Sequence, residues 1–181
     1  MKKENGITLV ALTITIIVML IIASITTYYG TDLIKEAKLQ DLRTNMLLIQ
    51  AEAKKGLEEV CFQTANLDPT KTEDAQKISQ IKTEANTKTE SGKQVLKGIP
   101  INDSGASEAK SALPSGVSAD ENCYYLDEAT LNDMGLKDLN ADEYGYFIVR
   151  YDFSNISVEV INTKGYKGNY TLTQINELTE E

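Results

Sequence analysis

The sequence contains no histidine and no tryptophan, and its 181 residues include only two cysteines and three prolines. Without histidine, the chain lacks the side chain most often used for general acid–base catalysis, for nucleophile activation and for metal binding. Two cysteines cannot supply a cysteine-rich zinc site, and no glycine-rich phosphate-binding loop occurs. We therefore predict that the protein is not an enzyme and that it uses no cofactor.

Positive charge is also scarce, with 18 Lys and Arg against 27 Asp and Glu, which gives a formal net charge of -9. A protein that binds the nucleic-acid backbone needs clustered basic residues, so we predict no nucleic-acid partner. The length suits one modest domain plus an anchor.

A long apolar run occupies residues 7–27, and no charged residue lies between Glu4 and Asp32. The run has about the ~20 residues that a helix needs to cross a bilayer. Its polar members are Thr and Ser, which can hydrogen-bond to the carbonyls of their own helix. Lys2 and Lys3 precede it, so the positive-inside rule predicts a single-pass protein of the cytoplasmic membrane with its head outside.

An ordinary secretory signal is one alternative for this segment. Such a signal has an apolar region of about 7–15 residues that ends at a small-residue cleavage site. Here the run is longer, no A-x-A pattern closes it, and the small residue Gly6 precedes it. A plain signal anchor stays open as the second alternative.

The N-terminal residues MKKENG, followed by ITLV, resemble the class III leader of type IV prepilins and pseudopilins. In that family a membrane peptidase cuts after the glycine and methylates the new terminus. The resemblance implies cleavage between Gly6 and Ile7, with the apolar segment kept as an anchor and later as the filament core. It also implies three partners, which are other pilin or pseudopilin subunits, the prepilin peptidase and the membrane. After assembly, the protein is expected in a filament at the cell surface.

One position departs from the family pattern, which usually has Glu as the fifth mature residue. Here that residue is Ala11, which cannot pair with the terminal amine of a neighbouring subunit. An uncompensated charge in apolar surroundings costs several kcal/mol. The departure favours a minor or initiating subunit, although Gram-positive prepilin-like proteins with a similar start often lack this Glu too.

The segment of residues 28–61 is predicted to continue the helix, because no proline interrupts it and its only possible weak points are Gly30 and Gly56. Its apolar residues recur in steps of three and four, which defines one helical face. They are Leu39, Leu42, Met46, Ile49, Ala53, Leu57 and Val60. We predict that this face packs on the head; a coiled-coil dimer is the alternative, with only about three heptads available.

The remaining chain is predicted to form the head. Residues 62–122 are loop-rich with one surface helix over residues 72–89, and residues 123–181 form an antiparallel β head. Strands are predicted at residues 123–126, 144–151 and 156–161, with Ile156 facing the helix, and an edge strand is predicted at residues 170–172. Asp127 is predicted to cap a short helix, residues 163–166 to form a turn, and Thr173 to cap a terminal helix. The predicted fold class is α+β and pilin-like, with a long N-terminal transmembrane helix packed on a small antiparallel sheet head.

The two cysteines, Cys61 and Cys123, fall outside the predicted membrane segment, where disulfides can persist. A bond between them would close a loop of ~62 residues and stabilise the head by ~4 kcal/mol in the chain-entropy model. We predict this disulfide, with free buried cysteines as the alternative.

Three oxygen-bearing residues, Asp138, Asn140 and Asp142, alternate as in a calcium loop. Glu143 stands where the turn glycine is expected, and Val149 stands where the last Glu ligand is expected. This pattern favours a solvated acidic loop, so we predict no metal site.

Three functions compete on this evidence. The first is a structural subunit of a type IV pilus or of a secretion pseudopilus, supported by the Gly6 junction and the apolar run. The second is a non-assembling, signal-anchored surface protein with a binding head, supported by Ala11. The third is a secreted hydrolase with paired carboxylates, for which no clustered pair stands out. The sequence favours the first.

Overall fold

The structure is a computed structural model. It describes residues 4–87, 94–137, 139 and 141–178, and within helix α1 the side chains of residues 4–10, 23 and 25–32 lie outside the description. The chain divides into two compact units, Met1–Asp41 and Leu42–Glu181.

Helix α1 (Glu4–Thr64) is 61 residues long and contributes residues to both units. It begins inside the predicted leader and ends three residues beyond Cys61, the predicted end. The helix continues through Gly30 and Gly56, so neither glycine interrupts it. The prediction of one long helix is confirmed.

Within the described residues, no helix is long and apolar enough to cross a membrane. The predicted span, residues 7–27, lies partly outside those residues, because the side chains of residues 7–10, 23 and 25–27 are not described.

The predicted inner face of α1 is buried. Its seven apolar residues, spaced by three and four, are each at most 9% exposed, and five of them are fully buried. The five are Met46, Ile49, Ala53, Leu57 and Val60. Burying a Leu, Ile or Met side chain stabilises a fold by about 1.5–3 kcal/mol, so the part of this stripe from Leu42 onward is a major part of the core of the second unit.

The second unit contains one antiparallel sheet of five strands, which follow one another in chain order. They are β1 (Ile99–Pro100), β2 (Cys123–Leu126), β3 (Phe147–Asp152), β4 (Ser157–Tyr166) and β5 (Asn169–Thr171). The prediction of an α+β head with an antiparallel sheet is confirmed. Both edge strands are very short, which limits edge-to-edge pairing with other chains.

Both faces of the sheet are buried. The register pairs Tyr125 with Ile148 and Ile148 with Ile161, which places these residues on one face together with Cys123. That face forms a buried cluster, with Ile101 and Ala106 packed against it. Residues of the opposite face are also at most 4% exposed: Phe147, Val149, Tyr151, Val158 and Val160. The Gln50 amide of α1 donates to the carbonyl of Val158 at 2.7 Å, so α1 lies alongside β4.

In the described part of the second unit, five shorter helices accompany α1 and the sheet. They are α2 (Thr72–Asn86), α3 (Ser107–Ser111), α4 (Glu128–Asp133), α5 (Ala141–Tyr144) and α6 (Leu172–Glu177), and a 3-10 turn (Ser104–Ala106) precedes α3. Asp127 caps α4 as predicted, since its carboxylate accepts from the backbone N–H of Thr130 at 2.9 Å. The cap of α6 is Thr171 and not Thr173, because the side chains of Thr171 and Gln174 form a reciprocal capping box.

Several predicted boundaries in the head are wrong. Strand β3 begins at Phe147 and not at residue 144, because residues 141–144 form α5 and Gly145 follows with a φ of 77°. Ile156 does not face the helix: it is 44% exposed, has a φ of 48° and lies in the turn before β4. The turn predicted at residues 163–166 is part of β4.

Candidate functional site

The first unit exposes a continuous apolar helix surface. Every side chain from residue 11 to residue 22 is exposed, and the large apolar ones range from Val18 at 46% to Met19 at 71%. This stretch contains no charged residue. Soluble monomers rarely expose a large contiguous apolar patch, and such patches mark membrane or protein contact sites.

Two hydroxyl groups, one on this surface and one just beyond it, are hydrogen-bonded within the helix. Thr15 Oγ1 donates to the carbonyl of Leu12 at 2.8 Å, and Ser24 Oγ donates to the carbonyl of Leu20 at 2.7 Å. These bonds do not depend on water, so the two hydroxyls can be covered by lipid or by another helix without losing their partners.

The predicted processing site lies at the start of the same helix. Gly6 and Ile7 both have helical backbone within α1, although their side chains lie outside the description. Ala11 is exposed and places a methyl group, not a carboxylate, on the surface. The three predicted residues of the leader region therefore share one helix with the exposed apolar surface of residues 11–22.

Sequence reasoning missed a second group of exposed apolar residues, which belongs to the second unit. Leu47 is 40% exposed, Leu48 is 49% exposed, and Phe62 near the end of α1 is 84% exposed. All three fall outside the spacing of the buried stripe of α1. Their position outside this helical spacing is the sequence signal that could have identified them as surface residues.

The predicted disulfide between Cys61 and Cys123 is absent, and both cysteines are free. Cys61 Sγ donates to the carbonyl of Phe153 at 3.9 Å, whereas Cys123 Sγ donates to Asp120 Oδ1 at 3.4 Å. Cys123 is buried in the sheet cluster with Ile148, so the thiols have different partners and do not meet. Burial raises the pKa of both thiols, which makes them poor nucleophiles.

The weak calcium candidate is only partly described. Asp138 and Asn140 lie outside the described residues, while Asp142 lies in α5. The backbone carbonyls of Asp142 and Glu143 accept from the ammonium group of Lys164. Over the part of the chain that the structure covers, no group of three or more His, Cys, Asp or Glu side chains could hold a metal ion.

Comparisons with protein-family models, with curated proteins and with solved structures give no match. The basis for a functional assignment is therefore the leader sequence, the exposed helix surface and the architecture of the second unit.

Proposed function

We propose that the protein is a structural subunit of a type IV pilin-like filament, either a pilus or a secretion pseudopilus, and that prepilin peptidase processes it. The observation that carries this proposal is the exposed apolar surface of residues 11–22, on a helix that begins in the leader. Such a surface needs a cover of lipid or of other helices.

In a filament subunit, this apolar surface is covered first by lipid and later by the helices of other subunits. Before assembly, the segment of residues 7–27 anchors the chain in the cytoplasmic membrane with the head outside. After assembly, the same segment packs against the equivalent helices of neighbouring subunits. The internal hydrogen bonds of Thr15 and Ser24 support this reading, because they leave two fewer polar groups to satisfy in either surrounding.

The second unit supports a pilin-like fold. The C-terminal part of α1 runs beside β4 of an antiparallel sheet, and its apolar stripe is buried. We propose that this unit is the head that the filament presents and that its role is structural.

Within the filament, we propose a minor or initiating position. A carboxylate at residue 11 would let each subunit pair with the terminal amine of the next, and Ala11 cannot do so. A subunit at the tip has no subunit ahead of it and does not need this pairing.

The proposal is tested by shearing cells that contain an active prepilin peptidase and measuring this protein in the sheared fraction. We expect to find the wild-type protein in the sheared fraction, whatever its abundance relative to the other subunits. Leu48→Glu places a charge on the half-exposed outer surface of α1 and should reduce the sheared fraction. Gln80→Glu, which adds the same charge to the exposed face of α2, is the control and should not.

The second candidate is a non-assembling, signal-anchored surface protein with a binding head, which Ala11 favours. In that case wild type would stay entirely in the membrane fraction after shearing. Leu48→Glu would then leave its distribution unchanged, which contradicts the filament proposal.

A further inference from the structure

A small cavity opens at one end of the sheet, where β2 leads into α4 and the residues before β3 fold back. Its volume is about 130 Å³. Its walls are formed by Tyr125, Leu131, Tyr146 and Phe147 together with other apolar residues, and the exposed residue Glu128 also lines it. Pockets for drug-sized ligands measure roughly 300–1,000 Å³, so this cavity suits a single side chain better than a whole cofactor.

The two tyrosines of the cavity are in contact. Their ring centroids lie 5.6 Å apart with an interplanar angle of 80°, an edge-to-face arrangement. The hydroxyl of Tyr146 donates to Glu108 Oε2 at 3.3 Å, and Glu108 belongs to α3. A second, open depression lies on the α3 side of Tyr146, so this ring is accessible from two directions.

Carboxylates lie near the tyrosine pair. Burial raises the pKa of Tyr125, and the negative charges of Asp127, Glu108 and Glu128 raise it further. The carboxylate of Glu128 has no hydrogen bond or ion pair within the described part of the chain. The ammonium group of Lys164 reaches the neighbouring α5, where it donates to the backbone carbonyls of Asp142 and Glu143.

We propose that this tyrosine cavity (Tyr125, Glu128, Leu131 and Tyr146) binds a lysine side chain presented by a protein partner. The apolar walls match the alkyl stem of lysine, which commonly packs on apolar surface while its charge stays near water. Aromatic rings and carboxylates both attract the ammonium group. Charge complementarity therefore selects a cationic occupant over a neutral or anionic one. The proposal does not depend on the filament assignment.

The test uses the full chain in detergent and N-acetyl-lysine methylamide as the probe, observed by saturation-transfer NMR. The neutral probe of matched stem length is N-acetyl-norleucine methylamide. We expect saturation transfer to the methylene groups of the lysine probe and much weaker transfer to the norleucine probe. Near-UV circular dichroism of the tyrosines checks that each variant is folded.

Two variants on the same helix distinguish binding at the cavity from a general attraction of the lysine probe to acidic residues. Glu128→Gln removes the carboxylate at the cavity and should weaken binding about threefold to fivefold, the effect of an exposed charge contact. Asp133→Asn removes an exposed carboxylate at the other end of α4 and should leave binding unchanged.

Three results would overturn the proposal. They are equal transfer to both probes, equal weakening by the two variants, and no transfer to the lysine probe. In the last case, transfer to free n-butylamine would show that the cavity accepts a free amine and not a side chain of a protein.

Discussion

Gly56 lies where the backbone of residues 95–96 crosses the buried side of α1. A Cβ atom added at Gly56 would lie 1.9 Å from the carbonyl oxygen of Val95 and 2.9 Å from its carbonyl carbon. Both neighbouring atoms belong to the backbone, so no side-chain rotation can relieve the contact. We predict that Gly56→Ala destabilises the head.

The magnitude follows from two opposing contributions. Alanine favours a helix interior by ~1 kcal/mol over glycine. Overpacking a core costs about 1–3 kcal/mol and more when nothing can move. The crossing segment is held from its other side, because the N–H groups of Val95 and Leu96 donate to the carbonyl of Ala85 at 3.0 and 2.9 Å. We expect a net loss of about 1–3 kcal/mol in the free energy of unfolding.

The assay is thermal unfolding of the full chain in detergent, followed by near-UV circular dichroism of the tyrosines. For a unit of this size, the expected loss corresponds to a fall in Tm of roughly 3–9 °C. Gly105→Ala is the matched control, since its Cβ would meet Ile99 at 3.7 Å, an ordinary contact. A Gly56→Ala protein that is more stable than wild type, as helix propensity alone requires, would refute the packing of residues 95–96 on α1.

Three further predictions concern single side chains. Burial raises the pKa of Tyr151, whose hydroxyl donates to the carbonyl of Lys97 at 3.1 Å. An unfolded tyrosine releases its proton near pH ~10 and folded Tyr151 does not, so stability should fall above that pH by up to about 1.4 kcal/mol per unit. Tyr151→Phe should lower this slope in urea titrations; an unchanged slope would contradict the burial of its hydroxyl. Alkylation in denaturant without reductant should add two groups per chain, and in the folded protein Cys61 should react before the buried Cys123; fewer than two groups would show a disulfide. Asp127→Ala should cost ~1 kcal/mol through loss of the α4 cap, measured by urea unfolding, and no loss would mean that this cap contributes nothing.

Local periodicity predicted much of the fold. The stripe from Leu39 to Val60 follows helical spacing, and all of it is buried. Asp127 and Gly135 mark the ends of α4, because a cap and a residue with positive φ act within one turn of the chain. Strand β2 and the β3–β4 hairpin carry β-branched and aromatic residues close together in sequence.

Several of the failures depend on contacts between distant residues. Strand β1 is only Ile99–Pro100, and it exists because it pairs with Tyr124 and Tyr125 of β2. A disulfide was predicted because the chain has two cysteines and both fall outside the predicted membrane segment. The face of the sheet on which Cys123 lies is set by the sheet register, which pairs residues far apart in sequence. The exposed surface of residues 11–22 was expected from the sequence as an apolar run, whereas the tyrosine cavity had no sequence signal, since β2, β3 and α4 meet only in the folded chain.

The central claim is that the chain enters the pilin pathway. The measurement that tests it most directly is the mass of the N-terminal peptide of the native protein, from cells with and without active prepilin peptidase. The account predicts that active peptidase removes residues 1–6 and leaves an N-methylated Ile7 as the first residue, and that the leader stays intact without it. An intact leader in cells with active peptidase would contradict the account and favour a plain signal anchor.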